Sequence, residues 1–156
     1  MRKFLYTLGA LTLIAIIGGG IGLGVLIYKG HALDVESKAF VDGAVPAIAA
    51  AWSKQQFLDR AAPELQGRVK PEELSAVFDR FSRLGSLVEY EGSTGQALLA
   101  YFTGSGGTVS ASYVAKARCQ NGSATLRIGL VKRDGRWMIR DFYVDPAPGG
   151  ESRRAA

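Results

Sequence analysis

Asp141 is the residue whose surroundings come nearest to chemistry. If Asp134-Gly135 closes a two-residue turn, Leu130 falls opposite Ile139, Ile128 opposite Asp141 and Leu126 opposite Tyr143, which puts Asp141 on an apolar face. A carboxylate placed there without a cation has its pKa raised by desolvation, and that prepares a general base or a neutral acid. The hydroxyls of Tyr101, Tyr113 and Tyr143 are candidates to line the same pocket, with Trp137 as its candidate aromatic wall. A bland arrangement competes: Asp141 pairs with Arg140, Arg127 or a helix residue, the tyrosines pack with wet tips, and Trp137 anchors the core. A one-residue slip of the hairpin would turn Asp141 to solvent.

Little else in the chain is reactive. Cys119 is the one cysteine, which excludes an intrachain disulfide and a Cys-rich zinc cluster, and it reads as a small core hydrophobe. The one histidine, His31, sits at the end of an apolar run, away from any nucleophile. Gly104-Ser105-Gly106-Gly107 is followed by neither a helix nor Gly-Lys-Ser/Thr, so it is a loop and not a phosphate cradle. No metal or cofactor is expected.

These residues need a sheet to position them. Asn121-Gly122 and Asp134-Gly135 are both two-residue turn signals, flanked by strand-like sequence from Val109 to Val144. A loop at Asn121-Gly122 would set Cys119 opposite Ala124, Ala117 opposite Leu126, Ala115 opposite Ile128 and Tyr113 opposite Leu130. All of these share one face. Ser110, Ser112, Lys116, Arg118, Thr125 and Arg127 take the other, so a meander with one core side follows from period-2 alternation. Leu87–Tyr90 and Ala97–Thr103 are expected as two further strands separated by Gly92-Ser93-Thr94-Gly95.

Helices precede the sheet. Asp34 to about Ala51 has Phe40, Val41, Ala44, Val45 and Ile48 on one face, with a kink or break expected near Ala44 because Pro46 removes a backbone bond. Ser53 to about Ala62 is expected as the second helix. Pro71 opens the third, with Glu72 and Glu73 in its first turn, a stripe of Leu74, Val77, Phe78, Phe81 and Leu84, and Gly85 as its stop. The tail, 145–156, is expected to be disordered.

The amino end is of another kind. From Phe4 to Tyr28 no residue is charged, after Arg2-Lys3 and before Lys29, which is long enough to cross a hydrocarbon core of about 30 Å. A signal peptide cut near Gly30-His31-Ala32 is the competing reading, but its apolar region would be only about 7–15 residues. The basic amino end should stay cytoplasmic, making a single-pass anchor in a bacterial inner membrane with the domain outside. Gly20 and Gly24 have the small-xxx-small spacing that lets two spans approach and self-associate. The organisation expected is thus a stub, 1–3; an anchor, 4–28, in membrane lipid; a linker, 29–33; an α+β domain, 34–144; and the tail.

The formal charge of +5 does not mark a nucleic-acid binder. Sixteen of nineteen basic and all fourteen acidic residues lie from Leu33 onward, leaving that part at only +2. Lys132-Arg133 with Arg136 and Arg140 makes a basic hairpin end that suits anionic lipid or an acidic partner, or is simply a solvated turn.

Helices followed by an antiparallel sheet that ends in Asp134-Gly135-Arg136-Trp137-Met138-Ile139, with Pro71 to Leu84-Gly85 leading into the first long strand, resembles the nuclear-transport-factor-2-like, or cystatin-like, superfamily. The resemblance runs from about Asp34 to Val144 and extends to small bacterial exported domains of that fold. It implies an α+β cone in which helices pack on a curved antiparallel sheet and leave a pocket at the open end. Members range from isomerases and hydratases to interaction modules and assembly factors, so fold alone decides little. The function expected is non-catalytic binding of a protein partner or a small apolar ligand. The alternative is a small isomerase or hydratase using Asp141.

Overall fold

A computed structural model describes residues 30–101 and 107–148. The chain divides into two units, Met1–Leu33 and Asp34–Ala156. The run 4–28 with Gly20 and Gly24, most of the Gly104–Gly107 loop and the tail from 149 lie outside the described residues. Among those that are described, no helix is long and apolar enough to cross a membrane.

The second unit opens within α1, which covers residues 30–49 and so includes positions 30–33 of the expected linker. Val41, Ala44, Val45, Ile48 and Ala49 form its buried face. The break expected near Ala44 is absent: the helix continues through Pro46, and Ala50 N–H donates to Pro46 O at 2.9 Å. A proline inside a helix costs about 3 kcal/mol. Burying Val45 and Ile48 on the same face contributes roughly 1.5–3 kcal/mol each, so packing wins. α1 ends where Ser53 N–H closes onto Ile48 O and Trp52 takes a left-handed φ of 47°.

Ser53 caps α2 (Lys54–Leu58), accepting from Gln56 N–H. The helix expected to reach Ala62 stops at Leu58 because residues 60–62 bond to a strand instead. Ile139 N–H donates to Arg60 O, and Ala62 N–H to Ile139 O, both at 2.7 Å. α3 (Pro63–Arg68) was not foreseen, although Pro63-Glu64 is an ordinary helix start. α4 (Pro71–Ser82) forms as expected, but within it only Leu74 and Phe78 of the stripe are buried, Phe81 is half-buried and Val77 is exposed.

Four antiparallel strands follow in the order β1-β2-β3-β4. The expected break at Gly92–Gly95 is instead one continuous strand, β1 (Leu87–Tyr101), whose register shifts before Glu89 and again before Gly92. Gly92 there has φ +95°. β2 (Gly107–Cys119) and β3 (Gly122–Arg133) pair with Cys119 opposite Gly122 and Tyr113 opposite Ile128. The turn is therefore Gln120-Asn121, two residues out of register from the expected pairing. Its position is fixed by the end of α4: Asn121 N–H donates to Leu84 O at 2.9 Å and its side-chain amide to Arg83 O at 3.0 Å. A shift of two preserves the faces, and the predicted core side is buried. β4 (Arg136–Pro148) begins at the expected Asp134-Gly135 turn and runs past Val144 to pair Pro148 with Gly122. Helices pack against this sheet.

Candidate functional site

The site residues named from sequence do not converge. Leu130 lies opposite Ile139 as expected, but the register then shifts, so that Gly129 faces Asp141, Ile128 faces Phe142 and Leu126 faces Val144. Arg140 is the surplus residue of a β-bulge. Asp141 is thereby turned off the core face, its side chain 31% exposed, with Arg140 Nε at 2.7 Å and an Arg68 nitrogen at 3.9 Å. The signal was present: an isolated glycine inside a strand, Gly129, often marks a bulge or a close approach. A Cβ on Gly129 would stand 2.9 Å from Asp141 Oδ2.

The bulge also separates the tyrosines. Tyr143 points away from the core and is 65% exposed. Tyr113 is buried, its hydroxyl 2.8 Å from Ser37 Oγ and donating to Asp34 O at 3.1 Å. Trp137 is a buried anchor under Lys132, whose ammonium lies 5.6 Å from the ring centroid and pairs with Glu36. That ion pair holds the Glu36 carboxyl below its ordinary value. The Tyr101 side chain is outside the described residues. Cys119 is buried, as expected of a small core hydrophobe, and burial pushes its thiol pKa up.

Two groupings not foreseen from sequence are better built. The first is polar and centres on Asp42 of α1. Tyr90 OH at 2.7 Å and Ser93 Oγ at 2.6 Å both donate to Asp42 Oδ1, and Lys38 Nζ donates to Oδ2 at 2.6 Å. Burial raises the Asp42 pKa, but the bonds from Lys38, Ser93 and Tyr90 together outweigh it and hold the carboxyl below its usual value. Burial and the neighbouring carboxylate push the Tyr90 hydroxyl far up. Asp42 therefore stays ionised and Tyr90 stays a neutral donor, an arrangement that fixes α1 to the irregular part of β1. Asp34 extends the attachment by accepting from Ala97 N–H at 2.5 Å.

The second is apolar and lies where α4 meets β4. A hollow of about 220 Å³ is walled by Phe57, Leu65, Val69, Leu74 and Phe78, with Glu73 as its one ionisable lining residue. An adjoining cleft of about 470 Å³ is bounded by Arg127, Tyr143, Val144 and Asp145. Val77, Phe81 and Phe142 line both. The rings set the shape: Phe57 lies 5.5 Å from Phe78 and 5.2 Å from Phe142, and Phe78 lies 5.8 Å from Phe81, all tilted or edge-on. At the outer rim Arg127 pairs with Asp145, which pushes the guanidinium pKa up. Phe142 reaches this wall because of the bulge.

Comparison with protein-family models, with curated proteins and with solved structures finds no match to this chain.

Proposed function

We propose that this protein is a non-catalytic binding module, anchored in a bacterial inner membrane by residues 4–28 and displaying its α+β domain outside the cytoplasm. The observation that carries the binding reading is the pair of hollows beside α4, lined mainly by aromatic and aliphatic side chains, with Glu73 in the lining of the inner one and Arg127 and Asp145 in that of the outer. Such sites hold a ligand by apolar burial and orient it with a few polar groups. The separation of Asp141 from Tyr113 and Tyr143 supports binding over acid–base chemistry. The uncharged run after Arg2-Lys3 supports the anchor. Helices leading into a four-stranded antiparallel meander support the likeness to the nuclear-transport-factor-2-like superfamily.

The test uses the full chain in bacterial membranes, with a photo-crosslinking side chain at Val77 in one sample and at Val114 on the opposite sheet face in another. The protein is expected to resist alkaline extraction, to be cleaved by protease added to spheroplasts, and to form a discrete crosslink from position 77 alone. Extraction into the aqueous phase or protection from protease would overturn the anchor or its orientation. Equal crosslinking from both positions would overturn the binding face, and substrate turnover abolished by Asp141→Asn would overturn the non-catalytic reading.

A further inference from the structure

We propose that the α4–β4 hollows bind a single-chain aliphatic amphiphile with an uncharged, hydroxyl-rich head. The inference rests on the binding reading above and specifies what is bound.

Shape argues for a chain. The inner hollow of about 220 Å³ has room for about seven groups of water size, taking ~30 Å³ for each. Its phenylalanines already meet one another tilted or edge-on, so a flat ring would have to break those contacts to stack, whereas a flexible chain fills the remaining space without moving them. The outer cleft, more than twice as large and meeting the inner one at Val77, Phe81 and Phe142, gives the chain a continuation and the head a place.

Charge decides the head. The lining residue Glu73 is 65% exposed and its Lys70 partner is as far as 4.0 Å, so an anionic head meets an incompletely neutralised carboxylate at the inner hollow. At the outer cleft Arg127 and Asp145 are committed to each other. A charged head is attracted by one member of this pair and repelled by the other, and gains little. A neutral head with hydroxyls can accept from remaining guanidinium N–H groups and donate to the carboxylate while the pair stays intact. The Tyr143 hydroxyl adds a third polar partner on the same rim.

The experiment places the full chain in phosphatidylcholine nanodiscs with a diazirine-tagged monoacylglycerol of eight carbons, and maps photolabelled residues by mass spectrometry. Labels are expected on peptides containing Val77, Phe81 or Phe142. Untagged monooctanoylglycerol should compete at a concentration at least tenfold below octanoate. Val77 is 39% exposed, so Val77→Trp should obstruct the entrance without disturbing the core, reducing labelling at least fivefold with an unchanged melting temperature. If that variant does unfold, Val77→Lys at the same exposed position serves, with the same loss expected. Labelling elsewhere, no effect of either variant, or octanoate competing as well as the monoacylglycerol would overturn the proposal. So would displacement by an amphipathic helical peptide with none by monooctanoylglycerol, which would assign the groove to a protein segment. Failure to enter nanodiscs counts against the anchor alone. The labelling is then repeated in buffer, where its outcome bears on the ligand.

Discussion

Trp52 occupies a position where glycine is the usual residue. Its φ of 47° is the left-handed turn that ends α1, and a bulky side chain keeps it only when its surroundings hold it there. Two contacts do so: the indole N–H donates to Gly85 O at 2.9 Å, and the ring lies 5.4 Å from Phe81. Gly85 is itself in a left-handed conformation, and a Cβ on it would come within 2.8 Å of Gln120 Cβ. One side chain thus joins the end of α1, the end of α4 and the β2–β3 turn. Trp52→Phe keeps most of the packing and removes the indole bond, so it should lower stability by about 1 kcal/mol, read as a reduced urea midpoint with unchanged slope. A drop below about 0.3 kcal/mol would mean that the bond adds nothing to the junction.

The attachment of α1 to β1 depends on pH through one carboxylate. Asp42 has its folded pKa below the unfolded value, so its contribution is fully present above the unfolded pKa of about 4 and is lost as pH falls through the folded value. Asp42→Asn should therefore be less stable than the parent at pH 7, and the difference should shrink in urea melts at pH 3. A difference independent of pH would assign the effect to packing. No sequence pattern pointed to this network, because Asp42, Tyr90 and Ser93 are brought together by two register shifts in β1 that alternation cannot reveal. Other elements were legible. The Asp134-Gly135 turn has φ values of 50° and 75°, as its residue types require. The position of the β2–β3 turn is not legible, because Asn121-Gly122 and Gln120-Asn121 give the same faces and only the contact with α4 chooses between them. α3 leaves little trace in the sequence because it is short and buries no residue fully, so it has no apolar period to read.

In the second unit as a whole, the fold class followed from alternation and helical stripes, while the site did not. The expected pocket assumed that β4 keeps one phase from end to end. Phe142 is turned inward and Tyr143 outward by the bulge beside Gly129, and the α4–β4 hollows exist in that second phase. Both faces of β4 thus depend on one surplus residue, and this makes the strand tolerant of a deletion within the bulge, at Arg140 or Asp141, and not in the residues that flank it. Removing Arg140 would leave Ile139 opposite Leu130 and Asp141 opposite Gly129 in an unbroken ladder, with every inward side chain still inward. Removing Met138 or Phe142 would instead reverse the phase of the strand beyond the cut. A deletion scan of β4, scored by folded yield and cooperative melting, should therefore recover deletions of Arg140 or Asp141 and lose those of Met138 and Phe142, so that length variation in this strand is confined to the bulge.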